Sequence, residues 1–256
     1  MIEESKQAAT EIDAKQLAAD ADTGRRRPGP VVAKVLLGVA LVWSLFQLWI
    51  ASPLPFAVGW LVFNDTQTRA IHLAFAVFLA YLSCPAFKRS PRERVPVGDW
   101  VLAFAGAACA AYIFLFYQEL STRPGQPTTL DLGVAVMGIV LLLEATRRAL
   151  GLPMVIVAVV FLIYTFAGPH MPDLIAHKGA SLSRAMSHQW LTTEGVFGVA
   201  LGVSSSFIFL FVLFGSLLER AGAGNYFIQL SFALLGHLRG GPAKAAVVSS
   251  GLTGVI

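Results

Sequence analysis

Long apolar runs separated by short charged or Pro/Gly-rich breaks set the pattern of this chain. The runs fall at about residues 31–50, 70–87, 97–117, 130–145, 151–166 and 195–218. Each approaches the roughly 20 apolar residues that an α-helix needs to cross the hydrocarbon core. In lipid a backbone must satisfy its polar groups internally, which favours helices. The pattern therefore predicts an all-α, polytopic integral membrane protein of about six transmembrane helices. Pro53 and Pro55 end the first run. The stretch from there to Thr68 alternates Phe56, Trp60 and Phe63 with Gly59, Asn64 and Asp65, and is read as a loop in the outer interface, where Trp is favoured. Ala103, Ala105, Gly106, Ala107, Ala108, Ala110 and Ala111 fill the middle of the third run and suit close helix packing. Gly151-Leu152-Pro153 opens the fifth run and Gly168-Pro169-His170-Met171-Pro172 closes it.

Beyond the sixth run the pattern shortens. Residues 225–238 are too few to span. Asn225, Gln229 and His237 share one row, and Tyr226, Phe227, Leu230, Leu234 and Leu238 fill much of the rest. This predicts an amphipathic helix along the inner interface, with a short re-entrant or bundled helix as the alternative. Gly240-Gly241-Pro242 then breaks the chain. The small apolar run 243–256 has no polar flank, so it is expected to be the first limb of a re-entrant hairpin in a larger membrane protein.

Composition agrees. Apolar residues make up 56% of the chain and charged residues 13%, against about 25% charged in soluble domains. The net charge of +4 reflects membrane orientation rather than nucleic-acid binding, because the basic residues sit between apolar runs. With the N-terminus cytoplasmic, Arg25, Arg26, Arg27, Lys34, Lys88, Arg89, Arg92, Arg94, Arg147, Arg148, Arg220, Arg239 and Lys244 lie at inner ends, thirteen in all. Four, Arg69, Arg123, Lys178 and Arg184, fall outside. The excess sets the N-terminus inside. Residues 1–30 lack the apolar core of a signal peptide and read as a cytosolic polar tail. Cys84 and Cys109 lie in or beside apolar runs and read as packing residues; no Cys or His spacing suits a metal.

Few polar groups remain as chemistry. Gly198, Gly202 and Ser206 form a small-residue row that reads as a packing face. Ser204, Ser205 and Ser206 either bond their own backbone or line a substrate path. Glu144 has Arg147 and Arg148 at i+3 and i+4, so a structural ion pair is expected over a proton carrier. Asp99 and Glu119, at span ends, are expected to be solvated, and His72 to be interfacial. No His, Asp or Glu is expected deep in a span, and no nucleophile elbow or phosphate loop appears, which argues against an enzyme. Ser249-Ser250-Gly251-Leu252-Thr253-Gly254 places hydroxyls and glycines where a discontinuous helix could expose carbonyls to an ion.

Three stretches carry a family resemblance: Leu217-Leu218-Glu219-Arg220-Ala221-Gly222, Gly236-His237-Leu238-Arg239-Gly240-Gly241-Pro242-Ala243-Lys244, and Ser249-Ser250-Gly251-Leu252-Thr253-Gly254-Val255-Ile256. They resemble the start of the large membrane subunit of TRAP transporters (tripartite ATP-independent periplasmic transporters). The layout is similar to the fused type that works with a TAXI-type periplasmic binding protein. The resemblance implies residues 31–148 as a small-subunit-like four-helix membrane domain and 149–256 as the incomplete start of the large subunit. It implies a permease in the bacterial inner membrane that imports a carboxylate-type solute, with Na⁺ as coupling ion and no other cofactor. Ser249, Ser250, Thr253 and Gly254 would then lie near an ion or substrate site completed by the remainder of the large subunit. The outer loop 168–193, with Lys178 and Arg184, and the loop around Pro124 are expected to dock the binding protein. The rival reading is a non-transporting scaffold that anchors or assembles a partner, which should finish with a capped helix.

Overall fold

The computed structural model describes residues 25–87, 90–237 and 240–252. Most of the polar tail, Lys88 and Arg89, Leu238 and Arg239, and Thr253 and Gly254 lie outside the described residues. The chain divides into two compact units, Met1–Ser205 and Ser206–Ile256. Helices make up the described structure in both, with no strand among the described residues. The architecture is that of an all-α polytopic membrane protein.

The first unit opens with α1 (Pro30–Ala51), followed by the short α2 (Leu54–Val58) and α3 (Asp65–Ser83). Next come α4 (Val97–Leu115), the short α5 (Tyr117–Thr122), α6 (Thr129–Leu150) and α7 (Leu152–Ala167). Pro30 and Pro153 sit in first turns, where a missing N–H costs nothing. Five helices among the described residues are long and apolar enough to cross a membrane: Pro30–Ala51, Val97–Leu115, Thr129–Leu150, Leu152–His170 and Val199–Arg220. The expected second span, α3, has 19 residues but falls short in apolarity. Its partners explain why. It packs on α1, α4 and α6, so protein rather than lipid covers it. Ala70, Tyr81 and Leu82 of α3 are fully buried.

The small-residue row of α4 makes that packing possible. Ala103, Gly106 and Ala110 are buried and share one face of the helix. A Cβ on Gly106 would sit 2.6 Å from Val77 Cγ1 and 3.5 Å from Tyr81 Cε2. Tyr81 reaches past α4 and donates to Leu141 O of α6 at 2.7 Å. Burying a Tyr, Leu or Val side chain stabilises by about 1.5–3 kcal/mol against water. Against lipid the gain comes from packing, which the small residues permit.

The helix α3 also starts earlier than expected. The stretch read as loop through Thr68 contains a capping box. Gln67 N donates to Asn64 Oδ1 at 2.8 Å, and Asn64 N donates to Gln67 Oε1 at 3.1 Å. This satisfies two orphan N–H groups and fixes Asp65 as the first helical residue. Asn64→Ala is expected to cost about 1 kcal/mol, visible as a lower midpoint in thermal unfolding of the detergent-solubilised protein.

The expected outer loop 168–193 is a loop only in its first half. After a 3-10 turn, Gly168–His170, the chain is tied back to α7. His177 Nε2 donates to Tyr164 O at 2.9 Å and Ala180 N to Thr165 O at 3.1 Å. From Leu182 the chain is helical again: α8 (Leu182–Met186) runs into a π-turn, Ser187–Leu191. Ala185, Met186, Ser187 and Trp190 are buried, and both pieces pack on α6. The apolar residues point inward at helical spacing, which a charge-based reading of the loop overlooked. Then α9 (Val199–Val203) begins, and a second π-turn, Ser204–Ile208, follows it.

The second unit contains α10 (Phe209–Arg220), α11 (Ala223–Leu235) and α12 (Gly241–Leu252). Helix α11 ends at Leu235, ahead of the expected Gly240-Gly241-Pro242 break, and α12 begins at Gly241. Gly240 takes φ +71°, a left-handed conformation that glycine adopts without strain. Pro242 starts α12 instead of interrupting it.

Candidate functional site

Of the predicted ion-site residues, Ser249 and Ser250 belong to α12, which pairs with α11. The two helices pack along each other. A Cβ on Gly241 would overlap the carbonyls of Leu235 and Gly236 at the end of α11. Ala245 and Ser249, one turn apart on α12, are buried, as is Ser231 on α11. Ser231 Oγ has no hydrogen-bond partner among the described residues. Ser250 is exposed. The structure thus separates the two serines: Ser249 faces the neighbouring helix and Ser250 does not. Thr253 and Gly254 lie outside the described residues.

The Gly198/Gly202 row meets a different partner from the one a packing face suggests. Gly198 caps α9 and is buried; Gly202 lies one turn on. A Cβ on Gly202 would sit 2.8 Å from the guanidinium of Arg69. That guanidinium donates to Phe197 O at 3.0 Å and Gly198 O at 3.3 Å. The glycine therefore makes room for a cation that satisfies carbonyls ahead of the helix. Ser206 is exposed and falls in the other unit. Ser205 is buried and donates to Gly202 O at 3.0 Å, bonding its own helix.

His72, one turn beyond Arg69 on α3, is a correction. It was expected at the interface, yet it is only 3% exposed. Trp43 Nε1 donates to its Nδ1 at 3.2 Å, and Gln47 Nε2 lies against the same nitrogen. Its Nε2 is 3.3 Å from Ser204 Oγ. An indole N–H can only donate, so Nδ1 is the acceptor and Nε2 carries the proton toward Ser204. Helix α1 and the π-turn after α9 supply these partners, and none of them is near His72 in sequence.

A second polar cluster closes the far end of α4 and the start of α6. Asp131 is fully buried. It accepts from Tyr112 Oη at 2.5 Å and Thr128 N at 2.8 Å, and pairs with Arg123 at 3.2 Å. Glu119 is exposed, as expected, 4.0 Å from Arg123. A cavity of about 210 Å³ adjoins this cluster, lined in part by Arg123, Asp131, Ser187 and Thr192. A neighbouring open cavity of about 390 Å³ shares Gly125, Ser187 and Thr192 with it and adds Arg184, His188 and Glu194. The two stretches expected to dock a partner, the Pro124 loop and the second half of 168–193, therefore meet at one groove. Arg184 lines it; Lys178 is exposed and is not in its wall.

The opposite end of the bundle holds an ion network. Arg147 Nε and Arg148 Nε donate to Glu144 at 2.7 and 2.8 Å, the expected i+3 and i+4 pairs. Asp99 overturns its expectation of solvation: it is 6% exposed. It accepts from Arg148 Nη1 at 2.8 Å and pairs with Arg26. Arg148 also lies over the Tyr81 ring, 4.8 Å from its centroid. The reason is proximity in space: the start of α4 abuts the end of α6 and residues before α1. Among the described residues no group of three His, Cys, Asp or Glu could hold a metal ion.

Residues 137–256 match the family described as the tripartite ATP-independent periplasmic transporter, DctM component. The matched stretch is a little under half of the chain and begins inside α6. It takes in the α11/α12 pair and the Arg184 wall of the groove. No curated protein and no solved structure matches the chain. The match supports a membrane component of such a transporter.

Proposed function

We propose that this chain is a permease component of a tripartite ATP-independent periplasmic transporter, with a small-subunit-like domain fused ahead of the large one. The observation that carries this reading is the match of residues 137–256 to the DctM component. The four helices α1, α3, α4 and α6 form the scaffold. The helices from α7 onward begin the transport portion, with Ser249 and Ser250 near an ion or substrate site. A periplasmic protein of the TAXI type delivers a carboxylate solute and docks at the groove bounded by Gly125 and Arg184. The protein lies in the inner membrane with its N-terminus in the cytoplasm, as the thirteen-to-four distribution of Lys and Arg supports. Inward Na⁺ flow drives uptake.

Full-length protein in proteoliposomes, supplied with its binding protein, tests this. Uptake is expected to require both the binding protein and an inward sodium gradient. Ser249→Ala and Ser250→Ala are expected to raise the sodium concentration needed for half-maximal uptake. Uptake that persists with neither a sodium nor a proton gradient would sink the mechanism.

A further inference from the structure

Residues 25–29 run beside the 84–96 loop and are held there by backbone hydrogen bonds. Arg26 N donates to Ser83 O at 2.8 Å, Arg27 N to Arg92 O at 3.0 Å, and Gly29 N to Glu93 O at 3.0 Å. Arg26 turns inward onto Asp99. In an extended chain the flanking side chains turn the other way, and Arg25 and Arg27 are both exposed. The backbone pairing sets Arg27 beside Arg92, with Arg25 two residues before it and Arg94 two residues beyond its partner, and Arg92 and Arg94 are exposed as well. Two stretches far apart in sequence thus form one cationic strip, with Glu93 as its acidic member. Arg25, Arg92 and Arg94 form no ion pair among the described residues.

Two further observations point to what the strip meets. The network beneath it has three guanidiniums, Arg26, Arg147 and Arg148, against two carboxylates, Asp99 and Glu144. Its excess positive charge adds to the field above. Val31, Phe87 and Val97 border the strip and are 74%, 69% and 79% exposed. Such residues mark the edge of the apolar belt, so the arginines stand at headgroup level.

We propose that this strip binds the phosphate headgroups of anionic phospholipids in the leaflet it faces. Guanidinium forks match phosphate oxygens in geometry as well as charge, and clustered basic residues at the end of membrane helices attract anionic lipid. The proposal rests on the membrane reading of these helices. It does not depend on transport or on which side the strip faces.

The test is lipid binding, so its failure is distinguishable from failure of uptake. Protein purified in neutral detergent is titrated with phosphatidylglycerol, phosphatidylcholine or inorganic phosphate. Bound lipid is counted by native mass spectrometry, and stability is followed by thermal unfolding. Phosphatidylglycerol is expected to bind and raise the unfolding midpoint, and phosphatidylcholine to do neither. Arg92→Gln with Arg94→Gln is expected to weaken phosphatidylglycerol binding about fivefold per arginine, about 25-fold for the pair. Arg184→Gln, at the other end of the bundle, should leave it unchanged. Equal binding of the two lipids, or undiminished binding by the folded double variant, would overturn the proposal. Stabilisation by inorganic phosphate equal to that by phosphatidylglycerol would overturn it in favour of a free-phosphate site. Should the double variant not fold, the parent protein decides: binding must weaken as salt rises, and salt-independent binding refutes the strip.

Discussion

Replacing Asp99 by alanine is expected to cost about 3–5 kcal/mol of stability, the usual penalty for stranding a buried charge. The asymmetry of its partners sets the size. Arg148 would keep Glu144 at 2.8 Å and the Tyr81 ring. Arg26, whose side chain is fully buried, would keep only a long contact to Tyr81 O at 3.5 Å. Glu144→Ala should cost far less, about 1 kcal/mol, because Arg147 is a quarter exposed and reaches water while the buried Arg148 keeps Asp99 at 2.8 Å. A double change, Arg26→Met with Asp99→Leu, removes both charges together and should recover most of the loss. Thermal unfolding of the four proteins in one detergent makes the comparison. If Asp99→Ala and Glu144→Ala shift the midpoint equally, the network is not holding the bundle end in this way.

The second large effect lies at Gly138 and Trp190. A Cβ on Gly138 would overlap the Trp190 indole, and Trp190 is 1% exposed and set edge-on to Phe197 with centroids 5.3 Å apart. Trp190→Ala empties the contact, at about 3–5 kcal/mol. Gly138→Leu has no room and should push the 182–191 segment off α6, at least matching the roughly 1–3 kcal/mol of ordinary overpacking. Because the two residues share one space, the changes should not add. On the Trp190→Ala background, Gly138→Leu should cost much less than alone, by at least 1 kcal/mol in a double-mutant cycle. Additive costs would mean that the indole and the glycine do not compete. Trp190→Phe should be mild, because Trp190 Nε1 has no partner to lose.

Features carried by composition and local spacing were legible in the sequence. The apolar runs located α1, α4, α6 and α7 to within a few residues. The alanine-rich run of α4 was legible as a close-packing segment, and Val77 and Tyr81 pack against its Gly106. Glu144 found its arginines because they lie one turn away. Features that depend on distant pairing were not legible. Asp99 meets Arg26 and Arg148 across gaps of 73 and 49 residues, so position near a helix start suggested solvent. His72 meets Ser204 across 132 residues. The Asn64/Gln67 box was local and readable, and was lost only because the neighbouring aromatic residues drew the stretch toward an interfacial loop. At the candidate sites, the sequence singled out Arg184 and the Pro124 loop separately and could not show that they line one groove. Such convergence is a property of how α8 lies on α6.

The polar start of α3 has a consequence for how the protein is made. A segment carrying Asp65, Arg69 and His72 is a poor substrate for the translocon, where a charged residue at mid-helix costs about 2.5–3.5 kcal/mol. It has reason to wait for α4, whose small-residue face accepts it, and to enter the bilayer as a pair. Even then Arg69 has only the exposed Asp65 one turn away, at 3.4 Å, and lacks its buried acceptors, the carbonyls of Phe197 and Gly198, which lie 128 and 129 residues downstream. At a synthesis rate of about 5–20 residues per second, the nascent chain carries that uncapped cation for on the order of ten seconds. Assembly of the first unit is thus timed by the ribosome, and residue 198 marks the moment at which its most polar helix is finally closed.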